Sequence, residues 1–144
     1  MFILYVQINS DILVMTFNKE SECLNFVKNS KASYYKCLPL NQAKDTTFLS
    51  CLEWSSAKND FVVNINKAKE IILNHIRSIR SSFFSKLDIE YMKSMENNNQ
   101  ERMTQIASLK QRLRDVTLID LPNNTEDLKK FEPAIFLELK QLDI

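Results

Sequence analysis

The chain has no glycine. Four familiar devices need that residue where φ is positive or where backbone must approach a ligand closely: the Walker phosphate loop, the dinucleotide-binding turn, the Gly-x-Ser-x-Gly nucleophile turn and the calcium loop of helix-loop-helix type. All four are excluded in their usual forms. Turn positions with positive φ then fall to Asn or Asp, whose short polar side chains tolerate that region. Asn9, Asp11, Asn59, Asp60, Asn97, Asn98, Asn99, Asn123 and Asn124 are the candidates.

Metal ligands and nucleophile partners are equally scarce. There is one histidine, His75, and three cysteines, Cys23, Cys37 and Cys51, with no Cys-x-x-Cys unit, so no zinc-spaced ligand set exists. Three cysteines cannot all pair, and they read as small reduced hydrophobes of a cytosolic-type fold. His75 falls on an apolar helical stripe with no Ser, Cys or Asp spaced for a triad, the pattern of a satisfied core or boundary residue. A net charge of +1 gives no global attraction to nucleic acid. No run of ~18 apolar residues occurs, which excludes a membrane-spanning helix. The apolar start MFILYVQINSDILVMTF lacks a basic leader and a small-residue cleavage site, so a signal peptide is not expected.

What is present is an ordinary globular composition, 44% apolar and 26% charged in 144 residues, enough for one domain or a domain with an appendage. FILYVQI (2–8) and ILVMTF (12–17) predict two antiparallel strands joined at Asn9-Ser10-Asp11. Asn18 is expected to cap a short helix over 21–28, and Tyr34 to Leu38 to form a third strand stopped by Pro39. Asp45 is expected to cap a helical turn or two, with Phe48, Leu52 and Trp54 inward and Trp54 a core anchor; Phe61-Val62-Val63 is a last short strand.

From residue 65 the period changes to that of helices. Asn64 can cap a helix whose face carries Ala68, Ile72, His75, Ile76, Ile79 and Phe83. Phe84 then falls out of phase, which predicts a kink near Ser81-Ser82. Phe84, Leu87, Tyr91, Met92 and Met95 make the next stripe, and Met103, Ile106, Lys110 and Leu113 the one after the Asn-rich break. An antiparallel hairpin of 82–97 and 100–115 follows, with Asn98 and Glu101 as a capping box. Thr125 with Glu126 and Asp127 begins a further short helix, and Phe131 to Leu139 is apolar enough to dock.

Pairing about the Asn98-Asn99 turn sets Asp88 opposite Lys110, Met92 opposite Ile106, Met95 opposite Met103 and Phe84 opposite Arg114. Asp88 and Lys110 both interrupt apolar stripes, which predicts an ion pair that fixes register; the simpler alternative is that Asp88 only caps a helical turn. The expected hairpin core is Phe84, Tyr91, Met92, Met95, Met103, Ile106 and Leu113. Glu90 and Glu96 fall on a solvated face and make no acid/base pair with Asp88. Arg77, Arg80, Arg102 and Arg112 are expected outward, as the charged rim of a partner contact. Residues 65–86 are basic through Lys67, Lys69, Arg77, Arg80 and Lys86 against Glu70, while 116–144 are net acidic, so neutralisation within the fold or by a neighbouring subunit is favoured over nucleic acid.

One pattern of words is familiar. Leu87-Asp88-x-x-Tyr91-Met92-x-x-x-Glu96, Lys110-Gln111-x-Leu113-Arg114-Asp115, Thr125-Glu126-Asp127-Leu128 and Pro133 together resemble a small protein of the tail and fibre genes of tailed bacteriophages. Asp45, Thr47-Phe48 and Trp54, the strand at Phe61, and a helix opening Asn66-Lys67-Ala68-Lys69-Glu70-Ile71 and closing with Arg77 and Arg80 extend the likeness over residues 45–133. Where those proteins often carry proline, this chain has Ser81-Ser82. The resemblance implies a tail or tail-fibre attachment component in the virion, made in host cytoplasm and acting through contacts with other tail or connector proteins in multiple copies. Alternatives are a tail assembly chaperone that leaves the particle and, from another class, a small regulatory binder of host protein or nucleic acid. The expectation is an α+β protein: a small α+β domain over 1–64 with an antiparallel sheet, and a helical domain over 65–144. No enzyme activity, cofactor, metal, small-molecule substrate or membrane partner is expected.

Overall fold

The computed structural model describes residues 1–43 and 46–142. The fold is α+β and divides into two compact units, 1–68 and 69–144, a boundary inside the first turn of a helix and just beyond the 64/65 division expected from sequence. Asp45, the expected cap, lies outside the described residues.

The first unit is built on a three-stranded antiparallel sheet of β1 (Phe2–Ile8), β2 (Asp11–Phe17) and β3 (Ala32–Pro39) in the order β2-β1-β3. Its central strand runs without a charged or strongly polar residue from Phe2 to Val6 because both faces are covered there, and Ile3, Leu4, Tyr5 and Val6 are all buried. Ile3 and Tyr5 face one layer, where β4 (Leu52–Ser55) and β5 (Asp60–Val63) form an antiparallel pair that contributes Leu52 and Phe61. Leu4 and Val6 face the other, where α1 (Glu20–Asn29) contributes Cys23. Lys19, not Asn18, is the N-cap of α1, because the Glu22 carboxylate accepts from the backbone N–H of both residues and draws the helix start one residue inward.

The helical turn expected ahead of Leu52 is 3₁₀, runs over Thr46–Cys51 with a break at Phe48, and hands over to β4. Phe48 and Leu52 are buried, whereas Trp54 is half-buried: it stacks on Tyr34 at 4.9 Å and meets Phe61 edge-on at 5.1 Å.

Beyond the boundary, α2 (Ile65–Glu96) continues from the first unit as one 32-residue helix. The kink expected at Ser81-Ser82 does not occur, because the buried line Ile76, Phe83, Leu87, Ser94 keeps one phase and Phe84 lies beside it, half-buried. Buried Ser94 satisfies its hydroxyl on the Glu90 carbonyl at 2.8 Å. His75, expected on the apolar face, is exposed one position off the Ile72–Ile76 line.

Helix α2 ends in a Schellman arrangement with Asn98 at φ 52°: Asn99 N–H donates to the Ser94 carbonyl and Asn98 N–H to that of Met95. Asn98 is thereby used as the left-handed cap, so the N-cap of α3 (Gln100–Asp115) moves to Asn99, whose side chain accepts from Arg102 N–H at 3.0 Å. A 3₁₀ turn (Val116–Leu118) leads to α4 (Thr125–Lys130), capped by Asn124, and α5 (Ala134–Gln141). The apolar tail docks inside this unit: Ile135, Phe136 and Leu139 are buried, and Phe136 meets Phe83 at 5.5 Å.

Candidate interaction surface of the helical unit

The hairpin of α2 and α3 is held by polar contacts between facing positions. Lys110 Nζ donates to Asp88 Oδ1 and lies 5.4 Å from the centre of the Tyr91 ring; Arg114 lies 5.9 Å over Phe84. Two pairs on one register, Asp88 with Lys110 and Phe84 with Arg114, define how the helices slide against each other. The ion pair sits at the surface, since Asp88 is 60% exposed and Lys110 20%.

Among the hairpin-core residues, Ile106 and Leu113 are buried, and Phe84, Tyr91 and Met103 are half-buried. Met92 and Met95 are corrected. They are 55% and 52% exposed, because the buried line of α2 passes through Leu87, Tyr91 and Ser94 and leaves them about 100° further round. With Ile89, 57% exposed, they form an apolar strip at three-residue spacing along the outer side of α2 toward the turn. Ile89 was missed from sequence, although an isoleucine opposite Leu87 and Tyr91 on a polar face is itself a signal.

The four arginines divide. Arg77 is exposed and donates to Asn74, one turn away, at 2.7 Å, and Arg102 donates to Gln105 at 3.3 Å. Arg80 turns inward along the unit and donates to the Arg114 carbonyl and the Thr117 hydroxyl. Arg112 is no free rim residue: its Nη1 and Nη2 meet Glu138 Oε1 and Oε2 at 2.9 and 2.6 Å, tying α3 to α5. This pairing raises the Arg112 pKa and holds the Glu138 carboxyl below the ordinary range. Of the basic residues in 65–86, Lys67 is paired with Glu53, whereas Lys69 donates to the uncharged side chain of Asn123 at 2.5 Å.

An open hollow of about 500 Å³ lies where the 3₁₀ turn meets the start of α5, lined by apolar residues such as Val116, Phe131 and Ile135 and by Arg112, Asp115, Asp120 and Glu132. In the first unit, Asn64 caps α2 with its carbonyl oxygen and donates from its amide to Glu53, which also binds Lys67 at 2.7 Å. Hydrogen bonds from Lys67 first, then Asn64, hold the Glu53 carboxyl below its ordinary range. Among the described residues no three His, Cys, Asp or Glu side chains are placed to share a metal ion, and no helix is long and apolar enough to cross a membrane. Comparison with known proteins finds no matching family model, no matching curated protein and no matching solved structure.

Proposed function

We propose that the chain is a structural part of a tailed-bacteriophage virion, a tail or tail-fibre attachment component that works through protein–protein contacts and carries no catalytic chemistry of its own. The observation that supports a contact role is the Ile89, Met92, Met95 strip. Three large apolar side chains stand in water at one end of a helical hairpin whose register is already held by its own polar pairs. Methionine suits such a contact because its unbranched, polarisable side chain adapts to the facing surface. The phage assignment itself rests on the order of sequence words between residues 45 and 133.

The deciding measurement is mass spectrometry of density-gradient-purified particles against infected lysate. Peptides of this chain in the particles at a fixed ratio to known tail proteins are the expected result. Abundance in lysate with absence from particles replaces this reading with that of an assembly chaperone. Met92→Glu with Met95→Glu should leave the chain folded and lower its incorporation.

A further inference from the structure

The order β2-β1-β3 leaves the sheet two edges, and they are treated differently. The β3 edge carries Lys36, ends in Pro39, and has its pairing with β1 interrupted at Gln7/Ile8. A charge, a proline and a bulge are each devices that discourage further strand pairing. The β2 edge, DILVMTF, has neither proline nor bulge, and no charge within the strand beyond its first residue. Its pairing with β1 runs without a shift from Phe2↔Phe17 to Ile8↔Asp11. Alternate backbone N–H and C=O groups of β2 point away from β1, and Leu13 on this strand is 43% exposed.

We propose that β2 pairs antiparallel with β2 of a second copy of this chain, across a two-fold axis at Val14, to make one continuous sheet of order β3-β1-β2-β2-β1-β3. A second copy supplies a partner strand of the same length, unshifted and charged only at its first residue. Val14 is the midpoint of β2, so this register pairs the whole strand: Ile12 meets Thr16, Leu13 meets Met15, and Val14 meets itself. Parity is kept, with Ile12 and Val14 on the Tyr5 side of both sheets and Leu13 and Met15 on the α1 side. Asp11, the strand's one charge, falls opposite Phe17, so no like charges meet. The contact is isologous, and it closes at two copies because each copy uses its single unguarded edge. It does not rest on the virion reading.

Light scattering after size exclusion, over a dilution series of the full chain, should return the dimer mass with dissociation on dilution. Amide exchange on the wild type should show β2 amides slowed in the concentrated sample and fast in the dilute one, while β1 amides stay unchanged. Leu13→Lys with Thr16→Lys, both at solvent-facing positions, should halve the mass and keep the circular dichroism spectrum; Tyr35→Lys on the guarded edge should leave the dimer intact. A wild type that is monomeric at every concentration, or a dimer that survives the double lysine variant, or one that Tyr35→Lys dissolves instead, overturns the proposal. The wild-type exchange experiment decides it even if the double variant misfolds.

Discussion

Lys110 and Asp88 close an ion pair in which the lysine is three times less exposed than its partner, 20% against 60%. The lysine stem lies along the hairpin with its ammonium near the Tyr91 ring, while the carboxylate stands in water. The two residues therefore contribute unequally. Asp88→Ala removes a solvent-screened charge and should cost under about 1 kcal/mol, whereas Lys110→Ala also strips cover and a cation–π contact from Tyr91 and should cost more. A double-mutant cycle by urea unfolding should give a coupling of about 0.2–1 kcal/mol. A coupling of several kcal/mol would require a buried pair.

Arg112 and Glu138 tie the last helix to α3 by charge, beside the Lys140–Glu132 pair at 2.5 Å that links it to the segment before it. Arg112→Lys keeps the charge but loses the two-pronged geometry, so it should behave nearer to Arg112→Ala than to wild type. Hydrogen exchange is the sensitive measurement: amides of α5 should speed up in both variants, with α3 amides little changed. Equal protection of α5 in wild type and Arg112→Ala would show that Ile135, Phe136 and Leu139 alone fix this helix.

Acid should loosen the same contacts. The Glu53, Glu90 and Glu138 carboxyls are each held below their ordinary value of 4.5, by hydrogen bonds from Lys67, Lys93 and Arg112 in turn. A carboxyl depressed in the folded state stabilises the fold fully above its unfolded value and loses that contribution as pH falls through the folded one. The urea midpoint should be flat from neutrality down to about 4.5 and decline below it, and Glu138→Gln should remove part of that slope.

Much of this was legible in the sequence, and the failures have definite causes. Short β-prone apolar runs and the Asn9-Ser10 break carry β1, β2 and their hairpin, because two such runs either side of a two-residue turn leave few alternatives. The phase of α2 was misread by one residue since Phe83 and Phe84 are adjacent phenylalanines, and periodicity alone cannot say which one is buried. That single slip created the false kink and placed Met92 and Met95 inside. Leu52–Ser55 is too short to show alternation, so β4 was hidden, and with it the Tyr34–Trp54 stack. The Arg112–Glu138 pair depends on where α5 folds back, which no local pattern reports.

The thiols should react in a set order. Burial pushes the Cys23 thiol up to about 12, with the hydrogen bond that the thiol donates to Cys37 and the nearby Cys37, Glu20 and Glu22 charges adding to it. Cys51 is also buried, and Cys37 is half-buried. Native protein treated with iodoacetamide at neutral pH should label Cys37 first and Cys23 and Cys51 only on unfolding, because the thiolate is the reacting form and access is limiting. A thiol raised in the folded state stabilises below its unfolded value of 9.0 and loses that contribution as pH climbs toward about 12. Stability should fall across that alkaline window, and less so in Cys23→Ala.

The missing glycines return as asparagines. The three residues with positive φ among those described are Asn9 at 58°, Asn59 at 46° and Asn98 at 52°, each in a turn where glycine would be the usual choice. Asn98 is the most constrained, because the same short turn must close α2 through the bonds to Ser94 and Met95 and open α3 through the Asn99 cap. Asn98→Gly should fold normally, since the left-handed region carries no side-chain penalty for glycine. Asn98→Val forces a β-branched residue into that region and should destabilise by roughly 1–2 kcal/mol. Thermal unfolding of the two variants separates conformational need from side-chain chemistry. If both fall equally, the amide of Asn98 matters for something other than its backbone angle; if only valine falls, the turn requires φ and nothing more.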